Sequence, residues 1–221
     1  ATELRPEHAA YWDTLARLER ESAPVLANAL PQALAHAQRA ATLAPTRPEY
    51  TVEQARVWMA MADAERPLLT SADAPTREQT QAHVREWLDQ ADESLGRAIG
   101  LKQDFAPAHL LRALVWEAQG HRDEAIAKLE QVRQFNPQDA EAAYQLGLLY
   151  LRRSGAGDLA QADKNFSDAV SFIPGYANAL WYGATAKERL GDISGARILL
   201  KALLEIDASD TVVQARLERM K

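Results

Sequence analysis

Apolar residues in this chain fall in paired helix-length runs, and the pair recurs at a pitch of 34 residues, most regularly from Ala106 to Asp139 and from Ala177 to Asp210. A pitch of that length points to stacked helix pairs, because one pair cannot bury its own apolar face and must cover it with the next. Composition agrees. Ala is abundant, β-branched residues are sparse, and only 10 Gly and 10 Pro interrupt the chain, a balance that favours helix. The expected class is all-α.

Within the clearest pair, Leu111, Leu114 and Val115 precede Gly120, while Ala125, Leu129 and Val132 precede Pro137, both sets at helical spacing. Gly120 stands where the first helix must stop and turn. Asp123 and Glu124 suit the positive start of the second helix, and Asn136-Pro137 ends it.

These residues resemble the tetratricopeptide repeat (TPR), which has small residues at positions 8 and 20, an aromatic at 11, a bulky apolar residue at 24 and proline at 32. Ala113, Ala125, Trp116, Leu129 and Pro137 occupy those places; Arg112, at the usually bulky position 7, departs. The unit from Ala140 matches through Leu146, Gly147, Tyr150, Ala162, Phe166, Ala169 and Pro174 once three extra residues are allowed between Ser154 and Asp158. A turn tolerates such an insertion. The unit from Ala177 supplies Ala184, Gly191, Ala196, Leu200 and Leu203, with Gly183 in place of the bulky residue, Lys187 of the aromatic and Ala208 of the proline.

Upstream, Ala91, Leu95 and Ala98 repeat the second-helix spacing, in a helix whose start is marked by the capping-box pattern Thr76-Arg77-Glu78-Gln79. Its partner is expected over residues 49–65, with Ala55 and Trp58, leaving 66–75 as an inserted loop that exposes Leu68 and Leu69. A first pair is expected over residues 8–20 and 32–43, separated by Pro24 and Pro31. The resemblance therefore implies a single right-handed solenoid of about five TPR-like helix pairs with a C-terminal capping helix. Its repeats would span 9–47, 48–105, 106–139, 140–176 and 177–210, with the cap at 211–221.

What the resemblance implies about function is a scaffold that holds a peptide or partner helix in a concave groove lined by the first helix of each pair. Carried over by position, the groove residues are Leu110, Leu114 and Glu117, then Tyr144, Leu148 and Arg152, then Trp181, Thr185 and Arg189. The Lys and Asn residues with which some relatives clamp chaperone tails are replaced by Leu110, Leu114 and Gln145, so that use is not expected.

A second resemblance concerns the order of parts: Tyr11 to Arg17 opening the array, an early insertion, and Pro174 to Ala179 leading into the last repeat. It is similar to the C-terminal TPR region of bacterial O-antigen-ligase-like membrane proteins. The implied alternative is a non-catalytic accessory or oligomerisation domain of a membrane glycan-polymer enzyme. Head-to-tail self-assembly through incompletely capped ends is a third reading.

Charge and chemistry exclude other classes. The net charge is -6 and the 25 basic residues form no dense run, against a nucleic-acid partner. No apolar stretch approaches the roughly 18 to 20 residues that cross a bilayer, so membrane insertion by this chain is not expected. Position 1 is Ala, which fits a processed chain or a piece of a longer protein whose tether lies elsewhere. Cysteine is absent, and the five histidines, His8, His36, His83, His109 and His121, show no metal-ligand or triad spacing. No metal, cofactor or enzymatic activity is expected.

Overall fold

The computed structural model describes residues 7–70 and 73–220, and among them all regular structure is helical. In chain order the helices are α1 (Ala9–Ser22), α2 (Ala29–Leu43), α3 (Pro48–Glu65), α4 (Ala74–Leu101), α5 (Ala106–Ala118), α6 (Arg122–Phe135), α7 (Ala140–Arg153), α8 (Asp158–Phe172), α9 (Ala177–Arg189), α10 (Ile193–Ile206) and α11 (Thr211–Glu218). A 3-10 turn, Arg66–Thr70, follows α3. None of these helices is long and apolar enough to cross a membrane. The chain divides into two compact units, one ending at His121 and the other beginning at Arg122.

Local chemistry accounts for most boundaries. Asp139, Asp192 and Asp210 each accept a hydrogen bond from a backbone N–H in the first turn of the helix they precede, satisfying donors that the helix itself cannot. Helices α5 and α9 stop alike. Gly120 and Gly191 take left-handed φ values of +93° and +82°, and the next N–H, of His121 or Asp192, donates back to the carbonyl of Trp116 or Lys187 at 2.8 Å.

In the first unit the small residues Ala16, Ala33 and Ala37 let α1 and α2 close on Val57 of α3. A second cluster joins α3, α4 and α5 through Val52, Ala55, Leu88, Ala91, Leu95, Ala98 and Val115. Two expected boundaries move. Helix α2 begins at Ala29 rather than residue 32, which puts Pro31 in its first turn, where a missing N–H costs nothing. Helix α4 begins at Ala74 because Asp73, not Thr76, is the cap: its carboxylate accepts the Thr76 N–H at 3.1 Å and the Thr76 hydroxyl. Pro75 is therefore helical. The 3-10 turn occupies the start of the expected 66–75 loop, with Leu68 exposed and Leu69 half-buried, and residues 71 and 72 lie outside the described residues.

The second unit runs from α6 to α11, and Phe166 is its largest fully buried side chain. Leu180, Ala184, Ala196, Leu200, Leu203 and Val213 form its C-terminal cluster, against which Leu217 and Met220 pack. Helix α11 thus covers apolar surface of the preceding pair, as expected of a closing helix; Lys221, the end of the expected cap, lies outside the described residues. The three-residue expansion before α8 is organised by Asp158, which receives both Arg153 Nε (2.8 Å) and Nη2 (2.7 Å) and the Gly155 N–H at 2.7 Å.

Two of the departures from the repeat pattern are explained by acids on the preceding helix. Arg112 is bidentate to Asp92, at 2.7 and 3.0 Å, and Trp116 Nε1 donates to the same carboxylate at 2.8 Å. Lys187, where an aromatic is usual, reaches Asp163 at 3.0 Å. Trp116 and Lys187, at the same position of their pairs, each stand 24 residues after their acid. Tyr150, at the same register, donates its hydroxyl to Glu130 on α6 instead. Twenty-four residues before Trp58 stands Leu34, and the Trp58 indole N–H is buried without an acceptor among the described residues.

Two aspartates, the buried Asp158 and the half-buried Asp13, titrate in opposite directions. Hydrogen bonds from Arg153 hold the Asp158 carboxyl below the usual carboxylate range, against the opposing effect of burial. Asp13 is pushed up, chiefly by burial, against the pull of Arg17 and with Glu53 adding. A depressed carboxyl stabilises the fold above its unfolded pKa of about 4, and that contribution is lost as pH falls through the lower folded value. A raised carboxyl binds its proton more tightly when folded, so its contribution falls as pH climbs from about 4 through the folded value. Asp158→Asn should therefore lower the melting temperature at pH 7 and blunt the acid-induced loss. Asp13→Asn should raise it at pH 7 and have little effect in acid. Thermal melts of both variants across pH 3 to pH 7, roughly the window of these shifts, check the opposite signs.

Candidate partner-binding face

The first helices of the pairs present the register from which groove residues were expected. In the first unit that is α5, where Leu110, Leu114 and Glu117 are all half-buried. In the second unit it is α7 and α9. Helix α11 continues the series, since Thr211 follows Ala177 by one full pitch of 34 residues. Its equivalent positions are Val212, Ala215 and Arg219, all exposed. These were missed because an eight-residue helix ending the array read only as a cap, although the unbroken register carries the signal.

On α7, Tyr144 and Leu148 are interior, 8% and 7% exposed. The Tyr144 ring lies 5.1 Å from Tyr176, 6.1 Å from Phe166 and 6.2 Å from Tyr182. Three of these four rings come from helices or turns beyond α7, which is why pattern alone did not show the cover. Burial pushes the Tyr144 hydroxyl pKa up, Tyr182 and Glu141 add to it, and Arg152 opposes them. Tyr176 is raised as well, by burial and by donating to Glu141. Tyr150 is pushed up to about 12 by burial and its bond to Glu130. All three remain protonated donors at neutral pH.

Trp181 on α9 is half-buried because Arg216 of α11 lies over it, its guanidinium carbon 4.3 Å from the ring centroid. The same guanidinium donates to Glu188 and to the Thr185 hydroxyl, each at 2.8 Å, and Thr185 in turn donates to the Trp181 carbonyl at 3.0 Å. Trp181 and Thr185 are thus joined to α11. Arg152 and Arg189 are exposed at the ends of α7 and α9, and Arg189 reaches Ser154 Oγ at 3.5 Å, across the gap to α7. Asn178, on the same side of α9, is exposed.

Solved structures share this arrangement of helix pairs. A thermophilic TPR protein of Thermus thermophilus is 15% identical with a TM-score of 0.64, the match covering 95% of this chain and 98% of that one. The chain has the TPR fold. MamA from Desulfovibrio magneticus matches at 17% identity and TM-score 0.59, over 90% of this chain and 97% of its own. YrrB, described as a TPR protein with an unusual peptide-binding site, matches at 17% identity and TM-score 0.56, over 96% and 93%. No protein-family profile and no curated protein matches the sequence. In the TPR frame, Gly147 is the small residue at position 8 of its pair, and Gly183 replaces the bulky residue at position 7. Phe166 fills the space beside both: a Cβ on Gly147 would lie 2.8 Å from its ring, and one on Gly183 3.3 Å from its Cβ.

Proposed function

We propose that this TPR chain is a non-catalytic protein-interaction scaffold whose second unit holds a peptide or partner helix against the first-helix face of α7, α9 and α11. What supports the reading is the helical register that gives Trp181, Arg189 and Asn178 one side of α9 and Arg152 the matching position on α7, beside the packed rings of Tyr144, Tyr176 and Tyr182. Rings and guanidinium groups at the edge of a packed cluster are the side chains that most often anchor protein partners, since they bury large area with little loss of freedom. Leu110, Leu114 and Glu117 hold the corresponding positions on α5 in the first unit. YrrB, of the same fold, has a peptide-binding site, which favours this use of the scaffold.

The test places a photo-crosslinking amino acid at Asn178, which is exposed on the proposed face, or at Ser167, which is exposed on α8. Neither side chain makes a hydrogen bond among the described residues, so both variants should remain folded. In the native host, Asn178 is expected to crosslink a defined protein and Ser167 is not. Crosslinking from Ser167 alone, or from neither position, would overturn the assignment of this face.

A further inference from the structure

The charges on this face are unevenly paired. Its carboxylates are occupied: Glu141 receives the Tyr176 hydroxyl and the Gln145 amide, the latter at 2.7 Å, and Glu188 receives Arg216. Two of its exposed cations are not matched in the same way. Arg189 meets only a serine hydroxyl, and Arg219, one turn beyond Arg216, donates to the Ala215 carbonyl of its own helix at 3.3 Å. Neither has a carboxylate within ion-pair distance among the described residues. Arg152 stands on α7 at the register of Arg189, close enough to Tyr144 for its charge to pull on that hydroxyl, and Arg219 stands on α11 at the register of Thr185. A protein of net charge -6 therefore carries three arginines on one face, one from each of α7, α9 and α11, and Glu141 and Glu188 on that face are already engaged elsewhere.

We propose that the segment held on this face is acidic: a polypeptide in which Asp or Glu residues flank one aromatic or leucine side chain. The inference rests on the reading of the face as a partner site and adds the chemistry of the partner. Arginine forks pair with carboxylates through two parallel hydrogen bonds, and an incoming acid gives Arg189 and Arg219 the partner that the fold withholds. The apolar side chain sets against the part of Trp181 that Arg216 leaves uncovered. The chain's overall negative charge repels a polyanion such as nucleic acid at long range, whereas a short acidic segment on a larger protein meets mainly the local field.

The experiment selects short random displayed peptides on the whole chain, then measures the enriched peptides against wild type, Arg189→Glu/Arg219→Glu and Asn178→Arg. Thermal melts first establish that the variants fold. The expected consensus is acidic with one aromatic or leucine. Its affinity is expected to fall at least about tenfold in the charge-reversed variant, equivalent to about 1.4 kcal/mol, and to weaken as salt rises from about 50 to about 200 mM. A neutral or basic consensus, an acidic one indifferent to charge reversal, or no enrichment overturns the inference. A neutral consensus blocked by Asn178→Arg but not by charge reversal sinks the acidity and leaves the face standing. Peptides indifferent to both variants sink the two readings together. Tighter binding of a single-stranded oligonucleotide than of any acidic peptide also overturns the proposal.

Discussion

Phe166→Ala is expected to cost the second unit about 4 kcal/mol, the middle of the range for a buried phenylalanine and a large share of a domain's usual stability of about 5 to 15 kcal/mol. The ring is 1% exposed and is held between Tyr144 and Tyr182, stacking on the latter at a centroid distance of 6.3 Å. Two glycines make its room. Gly147→Ala would place a methyl group 2.8 to 3.0 Å from three ring atoms, and the ring cannot swing away because its neighbours are themselves packed. Overpacking of this kind costs about 1 to 3 kcal/mol, partly offset by the roughly 0.5 to 1 kcal/mol that alanine gains over glycine within a helix. Gly147→Ala should therefore destabilise the wild type and stabilise the Phe166→Ala background, where the clash is gone. Urea unfolding of the two single variants and the double variant measures both effects. A Gly147→Ala effect of the same sign and size in both backgrounds would falsify the packing account.

Arg20→Met is expected to cost about 3 kcal/mol, and Glu53→Gln about 1 kcal/mol, although the two residues are partners in one ion pair. The asymmetry follows from burial. Glu53 on α3 is 2% exposed, and its carboxylate takes Arg20 Nε at 2.7 Å and Arg56 Nη1 at 3.2 Å. The Arg20 and Arg56 side chains are 22% and 40% exposed, so each can turn its head to water when the acid is neutralised. The carboxylate has no such exit, and losing Arg20 leaves it with one long contact, to Arg56, and the Asp13 carboxyl nearby. A double change of Arg20→Met and Glu53→Leu should recover most of the loss, since a packed apolar pair replaces a buried ionic one at little net cost. Equal losses for the two single variants would show that the pair is worth the same from either end and that burial does not decide it. The pair also bears on Asp13, whose raised pKa owes part of its shift to the Glu53 charge.

Helix positions were legible because their causes lie within a turn or two along the chain. Gly120 and Gly191 end helices by a local backbone conformation, Pro174 follows α8 because it cannot continue it, and the Ala113, Ala125 and Gly147 positions are small because two helices must approach there. Where two local signals competed, reading failed. Thr76 and Asp73 are both capping residues three positions apart, and only the observed hydrogen bond chose Asp73.

The chain's own pattern therefore determined the helix pairs, their pitch and the face each first helix offers, since helical periodicity and capping are short-range properties. Tertiary structure alone decided which residues on that face are covered and which charges are satisfied. Tyr144 is closed over by Tyr176 and Tyr182, 32 and 38 residues further on; Trp181 lies under Arg216, 35 residues away; Arg112 and Lys187 are explained by acids 20 and 24 residues before them. Those distances exceed any helical repeat. The outcome depends on where neighbouring helices place their side chains, which no single helix's period encodes.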